Sequence, residues 1–110
     1  DNIEISEMVN LTTKTLNYIL ENRDDQEMLS CISFDYLMGS GYLIGGWLMD
    51  KAKRSANKKL SESSKNEMFL KSKIISAEFY DFHILPRIEY HFKVVMKGAK
   101  VVQLTNDSFI

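Results

Sequence analysis

Residues 36–54 read YLMGSGYLIGGWLMDKAKR, and four of the chain's five glycines stand between positions 39 and 46. Glycines at such short intervals can form a loop that holds a phosphate, or they can strip a helix face so that two backbones come close. Both phosphate-binding patterns fail on residue identity. In the dinucleotide fingerprint, G-x-G-x-x-G between a strand and a helix, Gly39 and Gly41 would supply the first two glycines, but Ile44 occupies the third position. In G-x-x-x-x-G-K-[ST], Gly41 and Gly46 fit, yet Trp47 and Leu48 stand where the phosphate-binding lysine and the metal-binding hydroxyl are required. What remains is a small-x-x-x-small pattern: Gly41 and Gly45 are four apart on one helix face, followed by Gly46 and by Trp47 as an apolar wedge at the edge of the contact. Each mid-helix glycine costs about 1 kcal/mol relative to alanine, so close packing has to offset them.

The helical reading extends in both directions. Phe34, Leu37, Met38, Gly41, Gly45, Leu48, Ala52 and Ala56 recur at steps of three and four, so the helix should run to Leu60, roughly 35 residues or ~50 Å. Upstream, Met8, Leu11, Thr15 and Ile19, with Leu16 and Leu20 on an adjoining strip, predict a first helix over residues 4–22. Polar residues 22–25 break it, and Asp24 with Glu27 has capping-box spacing for the start of the long helix. Downstream, residues 61–64 supply a second break, and Ser64 with Glu67 repeats that spacing. A third helix then begins near Lys65. Its apolar residues form two strips, Leu70, Ile74, Ala77, Ile84, Ile88 and Val95 on one side and Met68, Ile75, Phe79 and Phe82 on another, so it needs neighbours on two sides. Pro86 should kink or break it, because proline removes one hydrogen bond and its ring presses on the carbonyl of Phe82. Gly98 is the expected C-cap, and residues 105–110 read as a tail.

A single proline and few turn clusters argue against a sheet. The expected fold is therefore all-α: one domain over residues 1–110, an up-and-down bundle of three antiparallel helices, two of them long and the last kinked at Pro86. The first helix covers only part of the other two, so apolar surface should be left for a partner. The chain begins at Asp1 without an initiator Met, which suggests a fragment of something longer.

Composition narrows the partners. A formal net charge of −1, from 14 Lys and Arg against 15 Asp and Glu, recommends neither nucleic acid nor an anionic membrane. The basic cluster Lys51, Lys53, Arg54, Lys58 and Lys59 reads as a solvated helix face. The apolar stretch at residues 42–49 is far shorter than the ~20 residues of a membrane span. Cys31 is the only cysteine, so no intrachain disulfide can form, which suits a reducing cytosol and a cytoplasmic location.

Catalytic constellations are expected to be absent. A di-metal bundle site needs Glu-x-x-His on two helices, but Tyr80 stands three residues before His83 and Ile88 three before His91. Ser40 between two glycines is not the G-x-S-x-G elbow, and Cys31 would need a nearby base and an electropositive setting to act as a nucleophile.

Tyr36-Leu37, Gly45-Gly46-Trp47-Leu48 and Ala77-x-Phe79-Tyr80-x-x-His83-x-Leu85-Pro86, with Gly98-Ala99 and Leu104 closing, resemble the C-terminal helical domain of the larger acyl-CoA dehydrogenases, such as those like 3-methylmercaptopropionyl-CoA dehydrogenase. The likeness runs from about residue 30 to the end, and Lys73 matches a lysine a turn before the alanine. Phe69-Leu70 and Glu78 depart from it, where the family commonly has Phe-Tyr and an arginine. The resemblance implies a parent flavoenzyme of fatty acid metabolism that uses FAD to oxidise acyl-CoA to 2-enoyl-CoA. Base and flavin contacts would lie in an upstream core, so no catalytic, cofactor-binding or metal-binding residue is assigned to this chain, and the fragment alone holds no FAD. Gly41, Gly45, Gly46, Trp47, Phe79, Tyr80 and Pro86 are the residues expected at helix packing or at an interface with that core or with another subunit. The alternative is a free-standing interaction module that binds a partner helix.

Overall fold

A computed structural model describes residues 3–62 and 65–98. Among them every regular element is helical: α1 at Ile3–Glu21, α2 at Gln26–Glu62, α3 at Glu67–Phe79, a π-helical turn at Tyr80–Ile84 and α4 at Pro86–Lys97. α3, the π turn and α4 follow one another as a single segmented rod, so the chain forms three rods.

Local chemistry sets the ends. The expected capping box at Asp24 and Glu27 is shifted by one residue: the Met28 backbone N–H donates to Asp25 Oδ1 at 3.0 Å, which makes Asp25 the residue that satisfies an orphan N–H of α2. Position 28, three on from Asp25, is a buried methionine, so there is no reciprocal carboxylate. Asp25→Ala should therefore cost about 1 kcal/mol, read as a lower urea midpoint, whereas Asp24→Ala should leave the midpoint unchanged. At the next connection Ser64 lies outside the described residues. Glu67 opens α3 after Asn66, which takes the left-handed conformation (φ 61°) that Asn tolerates better than most residues. The Glu67 carboxylate reaches forward to Lys71 at 2.8 Å, and that hydrogen bond, with the lysine's charge, lowers its pKa.

The interruption expected at Pro86 falls one turn earlier. Leu85 N–H donates to the Tyr80 carbonyl, five residues back, at 3.0 Å. Pro86 has no N–H for the Phe82 carbonyl and its ring crowds that group, so the chain widens the preceding turn and places the proline at the first position of α4, where a missing donor costs nothing. Gly98 ends α4 with φ 57°, and its N–H donates to the Val95 carbonyl at 2.8 Å.

α2 is the spine against which the other rods pack. The core comprises Met28 and Ile32 of α2, Leu85 in the joint before α4, and Ile88, Phe92 and Val95 of α4, with Met8, Leu11 and Ile19 of α1 closing over it. Thr15 is fully buried among them; its hydroxyl donates to the Leu11 carbonyl at 2.8 Å, which removes the penalty of an unpaired buried hydroxyl. The first of the two strips on the third rod thus supplies the core, through Leu70, Ala77, Ile88 and Val95.

The molecule is long, 68 × 22 × 17 Å, with a radius of gyration of 18.8 Å against about 13 Å for a compact chain of this length. α1 accounts for the asymmetry. Its first residues border a cleft shared with Lys53 and Glu78, and Tyr18 near its other end approaches Gly98. Past Lys53, α2 and α3 continue as a two-helix arm held by buried Ala56, Leu70 and Ala77. The second strip is left bare: on that arm Met68 is 87% and Ile75 65% exposed, and at the joint beside it Phe79 is 58% and Phe82 79% exposed.

Candidate functional site

The contact between α2 and the third rod is built on absent side chains. A Cβ at Gly39 would stand 2.5–2.9 Å from three atoms of the Phe92 ring, and one at Gly46 would stand 2.6 Å from Leu85 Cδ2. At Gly45 it would overlap the Tyr80 hydroxyl. Further along, Lys53 meets Glu78 at 3.6 Å. Gly39 with Phe92, Gly46 with Leu85 and Lys53 with Glu78 lie seven residues apart on each rod, rising along one and falling along the other. That is heptad spacing, the repeat of a helix–helix seam in which large side chains enter gaps on the facing helix. Here the gaps are glycines.

Tyr80 lies at the centre. The π turn begins with it, and its Oη donates to the Tyr42 carbonyl at 2.6 Å, a second hydrogen bond on an oxygen within α2. Burial raises the Tyr80 pKa, with a smaller push from Tyr42. A raised folded-state pKa means that the contribution to stability is full below the tyrosine's ordinary value near 10 and is lost as pH climbs through the higher folded value. Tyr80→Phe should cost about 1 kcal/mol at neutral pH and should flatten the loss of stability above pH 10; a variant as alkali-sensitive as the parent would exclude this hydroxyl as the group responsible.

The residues singled out from sequence fall into three places. Gly45, Gly46 and Tyr80 meet one another. Pro86 starts α4 directly after Leu85. Gly41 does not join the contact: nothing lies within 4 Å of where its Cβ would be, because it sits on the far side of α2. Phe34, Leu37 and Leu48, read as one stripe with it, are exposed as well. Trp47 is 52% exposed with the Lys51 ammonium 4.6 Å from its ring centroid, a cation–π pair on the surface in place of a wedge. Phe79 is exposed against the His83 ring at 4.5 Å. Gly39, Leu85 and Phe92 belong to the contact and were not singled out for it. Their signal was the seven-residue interval that links Gly39 to Gly46 and Leu85 to Phe92.

Polar features beside the contact pair off internally. His91 Nδ1 and Asp35 Oδ1 are 2.8 Å apart, with both side chains largely buried and Tyr42 and Phe34 near the imidazole. The cleft at the start of α1, about 580 Å³ and open to solvent, mixes Glu4, Asp50, Glu78 and Asp81 with Lys53 and Arg54. Arg54 holds Asp50 at 3.0 Å and Lys53 holds Glu78, so the charge reversal noted at Glu78 has a partner inside the chain. Among the described residues no group of three His, Cys, Asp or Glu could hold a metal ion, and no helix is long and apolar enough to cross a membrane.

No curated protein and no solved structure matches the chain. A family model does, over residues 4–104, from α1 past the end of α4. With that match laid over the glycine contact, the π turn and Pro86, the chain belongs to the acetyl-CoA dehydrogenase C-terminal like family.

Proposed function

We propose that the chain is the accessory C-terminal helical domain of an FAD-dependent acyl-CoA dehydrogenase, itself non-catalytic, serving packing, assembly or the shaping of the substrate entrance. The observation that carries this reading is the family match over residues 4–104. In such a parent FAD would supply the hydride acceptor for the conversion of acyl-CoA to 2-enoyl-CoA, and the carboxylate base would come from an upstream core. The residues of this chain do not fit the flavin: its clustered glycines are helical, and Phe92, Tyr80 and Leu85 fill the space at Gly39, Gly45 and Gly46. The rods run as an up-and-down antiparallel bundle, a reading supported by the opposed seven-residue steps of Gly39–Phe92, Gly46–Leu85 and Lys53–Glu78. The bare strip of Met68, Ile75, Phe79 and Phe82 is the face offered to the upstream core, in a cytoplasmic enzyme of fatty acid metabolism.

The test is the full-length polypeptide. It should purify with bound flavin and pass electrons from an acyl-CoA to an artificial acceptor, while the 110-residue chain alone purifies colourless. Ile75→Ser with Phe82→Ser should loosen the domain from the core and expose the joint to protease without removing the flavin. A full-length polypeptide with no flavin-binding core overturns the proposal. It would favour the free-standing module that binds a partner helix, the reading to which the exposed line on the outer face of α2 lends support.

A further inference from the structure

The outer face of α2 carries apolar side chains that the rest of the described chain leaves uncovered. Phe34, Leu37, Ile44 and Leu48 are 64%, 70%, 58% and 53% exposed, and Gly41 among them faces open space. Positions 34, 37, 41, 44 and 48 alternate steps of three and four, which is heptad spacing. They lie roughly 180° around the helix from Gly39 and Gly46. A helix with an apolar line on each of two opposite faces asks for a second neighbour. A glycine at a solvent-facing mid-helix position is also a destabilising choice unless something fills the gap.

The line continues at both ends into exposed polar residues, Glu27 and Ser30 before it and Lys51, Ser55 and Lys58 after it. Lay a second α2 against the first, antiparallel, with the two-fold axis between Tyr42 and Leu43. Glu27 then faces Lys58, Ser30 faces Ser55, Phe34 lies on the aliphatic stem of Lys51, Leu37 meets Leu48, and Ile44 enters the gap at Gly41. Opposite charges, hydroxyls and apolar groups thus face one another in four of the five distinct layers, and in the fifth Lys51 already carries its ammonium over Trp47. A parallel pairing would set Lys58 on Lys58, Glu27 on Glu27 and glycine on glycine. We infer that this seam is an interface between two copies of the chain, paired antiparallel, with Ile44 of each filling the space at the other's Gly41.

A strip about 45 Å long and about 10 Å wide covers on the order of 450 Å² per copy, below the roughly 800 Å² of a stable interface. The pairing of the isolated chain should therefore depend on concentration. Sedimentation equilibrium should show a reversible dimer, and Ile44→Glu or Gly41→Leu should abolish it with helical circular dichroism unchanged. Glu27→Lys should weaken it about tenfold at low salt, and adding Lys58→Glu should restore it. In a Cys31→Ser background, mixed Leu37→Cys and Leu48→Cys chains should form a mixed disulfide in preference to either homodimer. A monomer at every concentration, a dimer indifferent to Ile44→Glu, or preferential Leu37→Cys self-linkage overturns the inference. It rests on the reading of this domain as an assembly element but fails separately: a monomeric chain beside a flavin-bearing parent removes only the seam, and a seam dimer without an upstream core removes only the parentage.

Discussion

Phe92→Ala should lower the unfolding free energy by about 3–5 kcal/mol, a large share of the 5–15 kcal/mol typical of a folded domain. The side chain is fully buried, with its ring 6.0 Å from that of Tyr36 and pressed on the bare backbone at Gly39. Because glycine has no side chain to move, the cavity has no neighbour on that side that can collapse into it, which places the cost at the upper end of the range. Urea titration followed by circular dichroism measures the effect. A loss under about 1 kcal/mol would mean that the core does not depend on this ring.

The glycines themselves should separate into two classes. Gly45→Leu and Gly39→Leu force side chains into space already held by Tyr80 and Phe92, and overpacking of this kind costs about 1–3 kcal/mol or more. Gly41→Ala, by contrast, should stabilise the monomer by about 0.4–1 kcal/mol, because its surroundings are open and alanine narrows the unfolded ensemble. Measured at concentrations too low for self-association, the substitutions should therefore move the melting temperature in opposite directions. Gly39→Ala should also couple to Phe92→Leu: the smaller side chain relieves the clash, so the pair costs less than its parts. Equal losses at positions 39, 41 and 45 would contradict the contact described here.

Much of the fold was legible in the sequence for a physical reason. Helix α2 carries apolar or small residues at helical intervals with no proline, and the two connections are short and polar, so its length and the order of the rods follow from periodicity. The face of α2 was harder to assign. Apolar residues line both sides of this helix, and Phe34, Leu37 and Leu48 are as hydrophobic as Met28 and Ile32. Periodicity alone cannot say which line is covered within the chain. Gly41 was grouped with Gly45 because four residues separate them, whereas the seam advances by seven and selects Gly39 with Gly46. Capping signals misled by one residue where Asp24 and Asp25 compete, since both are acceptors and only backbone geometry chooses. The hydrogen bond from Tyr80 to the Tyr42 carbonyl joins residues 38 apart, and no local pattern announces it.

The π turn carries one residue more than an α-helical turn would hold. It works as a phase adjuster, setting the angle at which α4 presents Ile88, Phe92 and Val95 relative to α3. Across it the buried residues step by eight, from Ala77 to Leu85, where two α-helical turns take about seven residues, so the wide turn absorbs the extra residue and keeps Leu85, Ile88, Phe92 and Val95 on the line of Leu70 and Ala77. Loss of one residue there would keep that line but drive Pro86 against the carbonyl four residues before it, whereas gain of one more would turn everything beyond by about 100°.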